Sequence, residues 1–449
     1  MLMRLLLALP IVFMPNALHF AYDTGIPGLN IANLLVIVVV FGLLAWRRGP
    51  APEPGMGPMT PPLLLLFAML GFGFVIAVSS PGADFLGDLT YFKNAIFYPL
   101  LYFVYRRCRQ DMEGTRQLII LVMVVAAIAG LEAIREGLDY GIGRYAETRR
   151  ASGPFGVDFR NANRAGVFYA MFLPMFVAMA LFFRKQKLWR IAAIAGTAIM
   201  AMAIMVTYSR QSYLIALVGC ALLLLRKNVI LAALIGLSAI PAIALLPEGV
   251  TQRVEQTEQR NAIGDEELDV STASRFEIWD GAWRMWQEHP LGVGLGRFQS
   301  NIGEYVPAYA GFDAHNAYLR ILAEVGPLGV LAMFWILWRG LLLARALRRS
   351  AAREDAEAKA IAFGFAVLVI ATGLGNVYGS PFFEGSVMAN FWILCGLVEH
   401  YAKLKREALA APAPVDGGVV ATGPRAGAIG QRFPLAARIA PGRYGQQDE

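Results

Sequence analysis

Long apolar runs recur along the chain, and no other feature constrains its fold as strongly. Stretches such as IANLLVIVVVFGLLAW, LLLLFAMLGFGFVIAV and LIILVMVVAAIAGL carry no charged residue. A run of about 18 or more such residues reads as a membrane-spanning helix, because only a helix or a closed barrel satisfies its backbone in lipid. Composition agrees: 57% of the residues are apolar and 16% charged, whereas soluble domains are about a quarter charged. The chain reads as an all-α polytopic membrane protein.

The runs predict about twelve spans, at residues 3–20, 29–46, 62–79, 94–105, 117–134, 165–183, 189–207, 213–225, 229–246, 318–338, 359–377 and 385–401. Basic flanks alternate with them. Arg47/Arg48, Arg106/Arg107/Arg109, Arg184/Lys185/Lys187, Arg226/Lys227, Arg345/Arg348/Arg349 and Lys403/Lys405/Arg406 fall on one side, which the positive-inside rule makes cytoplasmic. That pattern explains the net charge of +7 without nucleic acid. The first run has the look of a signal peptide, but Pro10 and Pro15 interrupt it, and it is read as a first span. Cys108, Cys220 and Cys395 are not placed for an extracytoplasmic disulfide.

The expected organisation follows. Residues 1–246 hold spans one to nine, with a polar outer loop near 135–164. Residues 247–317 form a large outer loop with its own helices, and residues 318–406 hold the last three spans. Residues 407–449, rich in Pro, Gly and Ala, are expected to be a disordered cytoplasmic tail. Cytoplasmic loops are short and hold no Walker motif and no GxGxxG after a strand, so no nucleotide partner is expected.

The outer loops carry arginine almost to the exclusion of lysine. A guanidinium fork matches phosphate oxygens bidentately and keeps its charge when partly desolvated. An anionic phosphate ligand and ordinary pairing with loop carboxylates both account for most of these residues. Arg210 is set apart, because MVTYSRQSYLIALVG wedges it between two apolar runs, where a charge is costly and marks a site. Arg275 opens a helical pattern with Trp279, Trp283 and Trp286 at one face and Ser271, Thr272 or Ser274 as cap, which suits a helix lying at headgroup depth. That helix either anchors the loop or carries Arg275 to a lipid-linked phosphate.

In FDAHNAYLRILAEVGPLGV, Asp313 is a candidate N-cap that places His315 in the first helical turn, where the dipole disfavours imidazolium. Gly326 and Pro327 then allow a kink. A third polar knot, RRASGPFGVDFRNANRAGVFYA, packs Asp158, Arg160, Asn161, Asn163 and Arg164 before a span, as a site for sugar hydroxyls or phosphates or as a hydrated cap. No HExxH and no Cys/His pair is present, so neither a metal site nor a cofactor is expected.

These motifs resemble the bacterial O-antigen ligases and the related O-antigen and exopolysaccharide polymerases. His315 and Asn316, nine residues, Gly326, two residues and Gly329 match the family's histidine motif. SRFEIWDGAWRMWQEHPLGVGLGRF is similar to its Arg…Trp…Pro-x-Gly-x-Gly segment, GPFGVDFRNANRAGVF to its Gly…Asn-x-Asn segment, and TYSRQSYL to its Thr-x-Ser-Arg turn. Asn-Ala-Asn stands here where many members have Asn-Pro-Asn. The resemblance implies a large periplasmic loop between the ninth and tenth spans in the bacterial inner membrane. It also implies metal-independent, inverting transfer of a glycan from an undecaprenyl-pyrophosphate carrier to an acceptor hydroxyl, with no ATP. Arg210 and Arg275 would bind the pyrophosphate and His315 would serve as base. Asn163, Arg164, Asn316 and Arg160 would bind substrate. The acceptor is lipid A–core for a ligase and a lipid-linked glycan for a polymerase. A secondary transporter is the alternative of another class, but the chain shows no internal repeat and its polar residues gather at the outer face.

Overall fold

The computed structural model describes the chain apart from residues 1, 21–28, 47–48, 51–54, 142–144, 157–160, 184–185, 243–247, 256–257, 261–265, 269 and 411–449. Among the described residues, each of the twelve apolar runs is mostly helical. They form α1 (Leu2–Phe13), α2 (Ile31–Ala45), α3 (Thr60–Ser79), α4 (Phe85–Arg106), α5 (Met112–Tyr140), α6 (Ala162–Phe182), α7 (Lys187–Val206), α8 (Arg210–Lys227) and α9 (Val229–Ala242). The long polar segment adds α10 (Glu248–Glu255), the strands β1 (Glu258–Arg260) and β2 (Glu266–Leu268), α11 (Val270–Glu288) and α12 (Phe298–Tyr305). The chain then continues through α13 (Ala317–Val325), α14 (Pro327–Arg349), α15 (Ala356–Gly375) and α16 (Gly385–Ala410). The two strands pair antiparallel, with Gln259 opposite Glu267. Among the described residues, six helices are long and apolar enough to cross a membrane: α3, α5, α6, α7, α14 and α15. The protein is a helical, multi-pass membrane protein.

Met1–Arg406 forms one unit, and Glu407–Glu449, the expected tail, lies almost wholly outside the described residues. Helix starts follow local chemistry. Asn30 caps α2 by accepting from Asn33 N, Asp111 caps α5 through Gly114 N, and Asp355 caps α15 through Ala358 N. Within the first unit α6 is the central post. Its residues from Ala165 to Met179 are buried on every side, as an all-apolar helix should be. It packs against α7, α8 and α15. Gly166 gives a close approach, where a Cβ would meet Ser212 Oγ and Thr207 Oγ1. That contact sets the turn between α7 and α8 against the start of α6.

Two expectations need correction. The tenth run is not one kinked helix from 318 to 338. It breaks completely at Gly326, which has φ 81° and ψ −177°, and α14 restarts at Pro327. Glycine reaches that conformation cheaply, and proline suits the first turn of the next helix. Second, Ser271, Thr272 and Ser274 lie inside α11, which begins at Val270, and do not cap it. The tryptophans do share one face, since Trp279, Trp283 and Trp286 stand at i, i+4 and i+7, with the Trp283 and Trp286 rings 4.7 Å apart. Ile278, Ala282 and Met285 form the buried stripe of α11 and make a small separate core with Phe298, Ile302, Ala314 and Ala323.

Candidate active site

The histidine turn is the most constrained piece of backbone in the molecule. His315 has φ 47°, in the left-handed region that a residue with a Cβ adopts at a cost of about 1–2 kcal/mol. Several bonds hold it there. The His315 N–H donates to Asp313 Oδ2 at 3.1 Å, and the next free amide, Ala317 N–H, is shared between the carbonyls of Asn376 and Gly379 at 2.9 and 3.0 Å. Asn316, in an extended conformation, accepts from Tyr318 N and Leu319 N and is the true N-cap of α13. His315 therefore precedes the helix rather than sitting in its first turn. Asp313 is not the cap because its carboxylate is engaged elsewhere: Oδ1 accepts from Arg320 Nη1 at 3.0 Å and Oδ2 from Ser380 Oγ at 3.1 Å.

The imidazole keeps 44% of its side-chain surface exposed, enough to meet a ligand. Its pKa is depressed, first by burial and then by the charges of Arg275 and Arg164, with Asp313 pulling the other way. The charges that act on the ring place His315, Arg275 and Arg164 in one neighbourhood. Arg275 reaches it from α11, its guanidinium 4.7 Å over the ring of Tyr378. Trp279 fixes that helix in place by donating from Nε1 to the Ala314 carbonyl at 2.9 Å and meeting Tyr378 edge to face. Arg164, on the first turn of α6, pairs with Glu384 at 3.1 Å and donates to Asn161 Oδ1. Burial raises the Glu384 carboxyl, opposed by Arg164 and Arg320 and reinforced by Asp313.

Arg210 and Asn163 belong to an adjoining polar cluster. Arg150, 5% exposed, donates to the Thr207 carbonyl at 2.9 Å, to Asn163 Oδ1 at 2.5 Å and to the Tyr208 carbonyl at 3.5 Å. It thereby fastens the start of α6 to the Thr-Tyr-Ser-Arg turn, in which Tyr208 is also left-handed at φ 48°. Arg210 is the first residue of α8, half-buried at the end of that turn. The next residue, Gln211, donates to the Gly375 carbonyl at 2.7 Å. Arg160 and Asp158 lie outside the described residues.

The element common to the contacts around the histidine turn is the connection 376–384 between α15 and α16, which the sequence presents as a short link between two spans. It supplies Tyr378 to Arg275, Gly379 and Asn376 to the histidine turn, Ser380 to Asp313, and Glu384 to Arg164. Asn376 braces it from within, donating to the Thr372 carbonyl and accepting from Phe382 N. Tyr378 and Glu384 carry no recognisable motif, and only the break NVYGSPFFEGS between apolar runs hints at them, while Arg150 and Arg320 lie inside the polar knot and the histidine motif without being singled out there. Among the described residues no cluster of His, Cys, Asp and Glu could hold a metal ion.

The Pro-x-Gly-x-Gly segment underlies the site rather than lining it. Val293 N donates to the Ala323 carbonyl, Gly294 N to that of Glu324 and Leu295 N to that of Gly73. Gly292, at φ 93°, lies so close to α13 that a Cβ would collide with the Glu324 carbonyl and Val325 N. Gly311, at φ 81°, has open space around it. Gly311→Ala should therefore show the backbone cost alone, about 1–2 kcal/mol. Gly292→Ala should add about 1–3 kcal/mol of overpacking. Thermal unfolding of both variants in one detergent measures the difference, and equal midpoints would remove the steric role given to Gly292.

Comparison with curated proteins finds no match. Residues 195–334 match the family model described as O-antigen ligase. The match takes in the Thr-Tyr-Ser-Arg turn, α11 and the histidine turn, and ends before the 376–384 connection. It supports a ligase- or polymerase-type function in general terms. The match over residues 195–334 supports an assignment to the O-antigen ligase and polymerase family.

Proposed function

We propose that the protein is a metal-independent inverting glycosyltransferase of the O-antigen ligase type, moving a glycan from an undecaprenyl-pyrophosphate carrier to an acceptor hydroxyl. In this reading the twelve apolar helices span the bacterial inner membrane, with α10–α13 in a periplasmic segment and residues 411–449 in the cytoplasm. The observation that carries it is the gathering of a partly exposed, pKa-depressed imidazole with two arginines around one connection.

The chemistry follows from those groups. A neutral His315 takes the proton of the acceptor hydroxyl as its oxygen attacks the anomeric carbon. The bond from that carbon to the pyrophosphate oxygen breaks on the opposite face, which inverts the centre. Charge grows on the departing pyrophosphate, and Arg275 and Arg210 are the cations proposed to hold it. Arg164, Arg160, Asn163 and Asn316 are proposed around the sugars. Asn316 takes part through its amide N–H₂, since its oxygen caps α13.

A base must be deprotonated to act, so activity rises with pH through the His315 pKa. Because that pKa is depressed, the acid limb of kcat/KM should lie below the ordinary histidine midpoint of about 6.5. A limb at or above that value would count against His315 as base.

The deciding experiment is reconstitution with a lipid-pyrophosphate-linked repeat unit and two acceptors offered separately. Transfer to lipid A–core supports the ligase. A ladder of longer lipid-linked chains makes it a polymerase, the second reading that the matched domain admits. No transfer to either acceptor with a cognate donor refutes both.

A further inference from the structure

The carboxylate of Asp313 sits behind the histidine turn and bonds to the turn itself, to α13 and to the 376–384 connection. Oδ1 accepts from Arg320 Nη1 at 3.0 Å, on α13. Oδ2 accepts from the His315 N–H at 3.1 Å and from Ser380 Oγ, on the 376–384 connection, at 3.1 Å. The same oxygen lies 4.0 Å from His315 Nδ1, so a small rotation of the ring brings Nδ1–H into hydrogen-bond range. Asp313 is only 23% exposed, and Arg320, which anchors it, is 13% exposed and further held by Glu324 and by Tyr91 OH. A carboxylate fixed by three donors on three pieces of chain is a rigid reference point. A left-handed residue persists only where its surroundings over-determine it.

We propose that Asp313 is a positioning residue for His315, holding the turn left-handed and bonding Nδ1–H so that Nε2 is the nitrogen left to receive a proton. The inference rests on the glycosyltransferase reading for its catalytic consequence, but its structural content stands apart from it. An imidazole has two nitrogens, and the partner of one decides which tautomer exposes the lone pair of the other. Asp313 also opposes the effects of Arg275, Arg164 and burial on the ring. Without it His315 would be a weaker base in an unfixed orientation.

The test uses full-length protein in lipid nanodiscs with ¹⁵N-labelled histidine. Four histidines are present, and the spectrum of His315→Ala identifies the signals of His315. In Asp313→Asn the His315 midpoint should move to lower pH and its tautomer signature should change. In parallel, kcat should fall on the order of 10²-fold, with its acid limb moving the same way and the KM for donor unchanged. Asp313→Glu keeps the charge and should hold the midpoint near that of the wild type while recovering part of kcat. If Asp313→Asn fails to fold, a wild-type tautomer signature that does not report a protonated Nδ1 overturns the proposal by itself. An unchanged His315 titration in Asp313→Asn overturns it, as does a changed titration with wild-type kcat. Absence of transfer by the wild type would refute the enzymatic reading, and the titration would still decide whether Asp313 positions His315.

Discussion

Arg320→Ala should destabilise the protein by about 3–5 kcal/mol, the cost of leaving a buried carboxylate without its counter-charge. The stranded group is Glu324, 1% exposed on its side chain, whose Oε1 accepts from Arg320 Nε at 3.1 Å and lies 3.4 Å from Phe298 N. Arg320 also holds Asp313 and Tyr91 OH, so its loss releases the histidine turn and α4 together. Thermal unfolding in detergent reads the effect. Replacing both partners, as Arg320→Met with Glu324→Leu, should restore most of the global stability, because neither residue then buries a charge. It should not restore transfer, since Asp313 keeps no anchor on α13. A single variant as stable as the wild type would mean that Glu324 is hydrated or neutral and that the pair is dispensable.

His315→Ala should lower turnover by about 10²–10⁴-fold, the range for removing a general base, while the unfolding midpoint stays close to that of the wild type. The ring is partly exposed, so little packing is lost. The backbone at φ 47° is less forgiving of alanine than of asparagine, which occupies the left-handed region more readily. His315→Asn is accordingly the cleaner variant: it should match His315→Ala in activity and exceed it in stability. Donor binding, followed by fluorescence of a labelled lipid pyrophosphate, should survive in both and weaken in Arg275→Ala. Activity retained in His315→Asn would end the assignment of His315 as base.

The membrane helices were legible from the sequence because lipid leaves the backbone no choice, and a charge-free apolar run is helical whatever surrounds it. Arg210 stood out for the same reason, since a charge set between such runs is costly, and the structure puts it at the first residue of α8. The histidine turn was only half legible. Asp313 and Asn316 are both good caps by type, and what decides between them is the pull of Arg320 and Ser380 on Asp313, contacts that cross 7 and 67 residues. Tyr378 and Glu384 were not legible at all. A tyrosine or a glutamate in a short polar link has no periodicity to betray it, and its meaning comes from which distant helices fold against it. The tryptophans of α11 were legible from spacing alone: i, i+4 and i+7 put them on one face, beside the stripe of Ile278, Ala282 and Met285 that packs into the small core.

The nine residues from 376 to 384 also change what the matched domain means. A fragment cut to residues 195–334 would carry Arg210, Arg275 and His315 and would leave behind Tyr378, Ser380, Glu384 and Arg164. It would also lose the two carbonyls that hold the amide of Ala317. The domain is thus a unit of inheritance and not a unit of assembly. Chimeras between relatives should therefore exchange the link after α15 along with the histidine turn, because the two were shaped against each other.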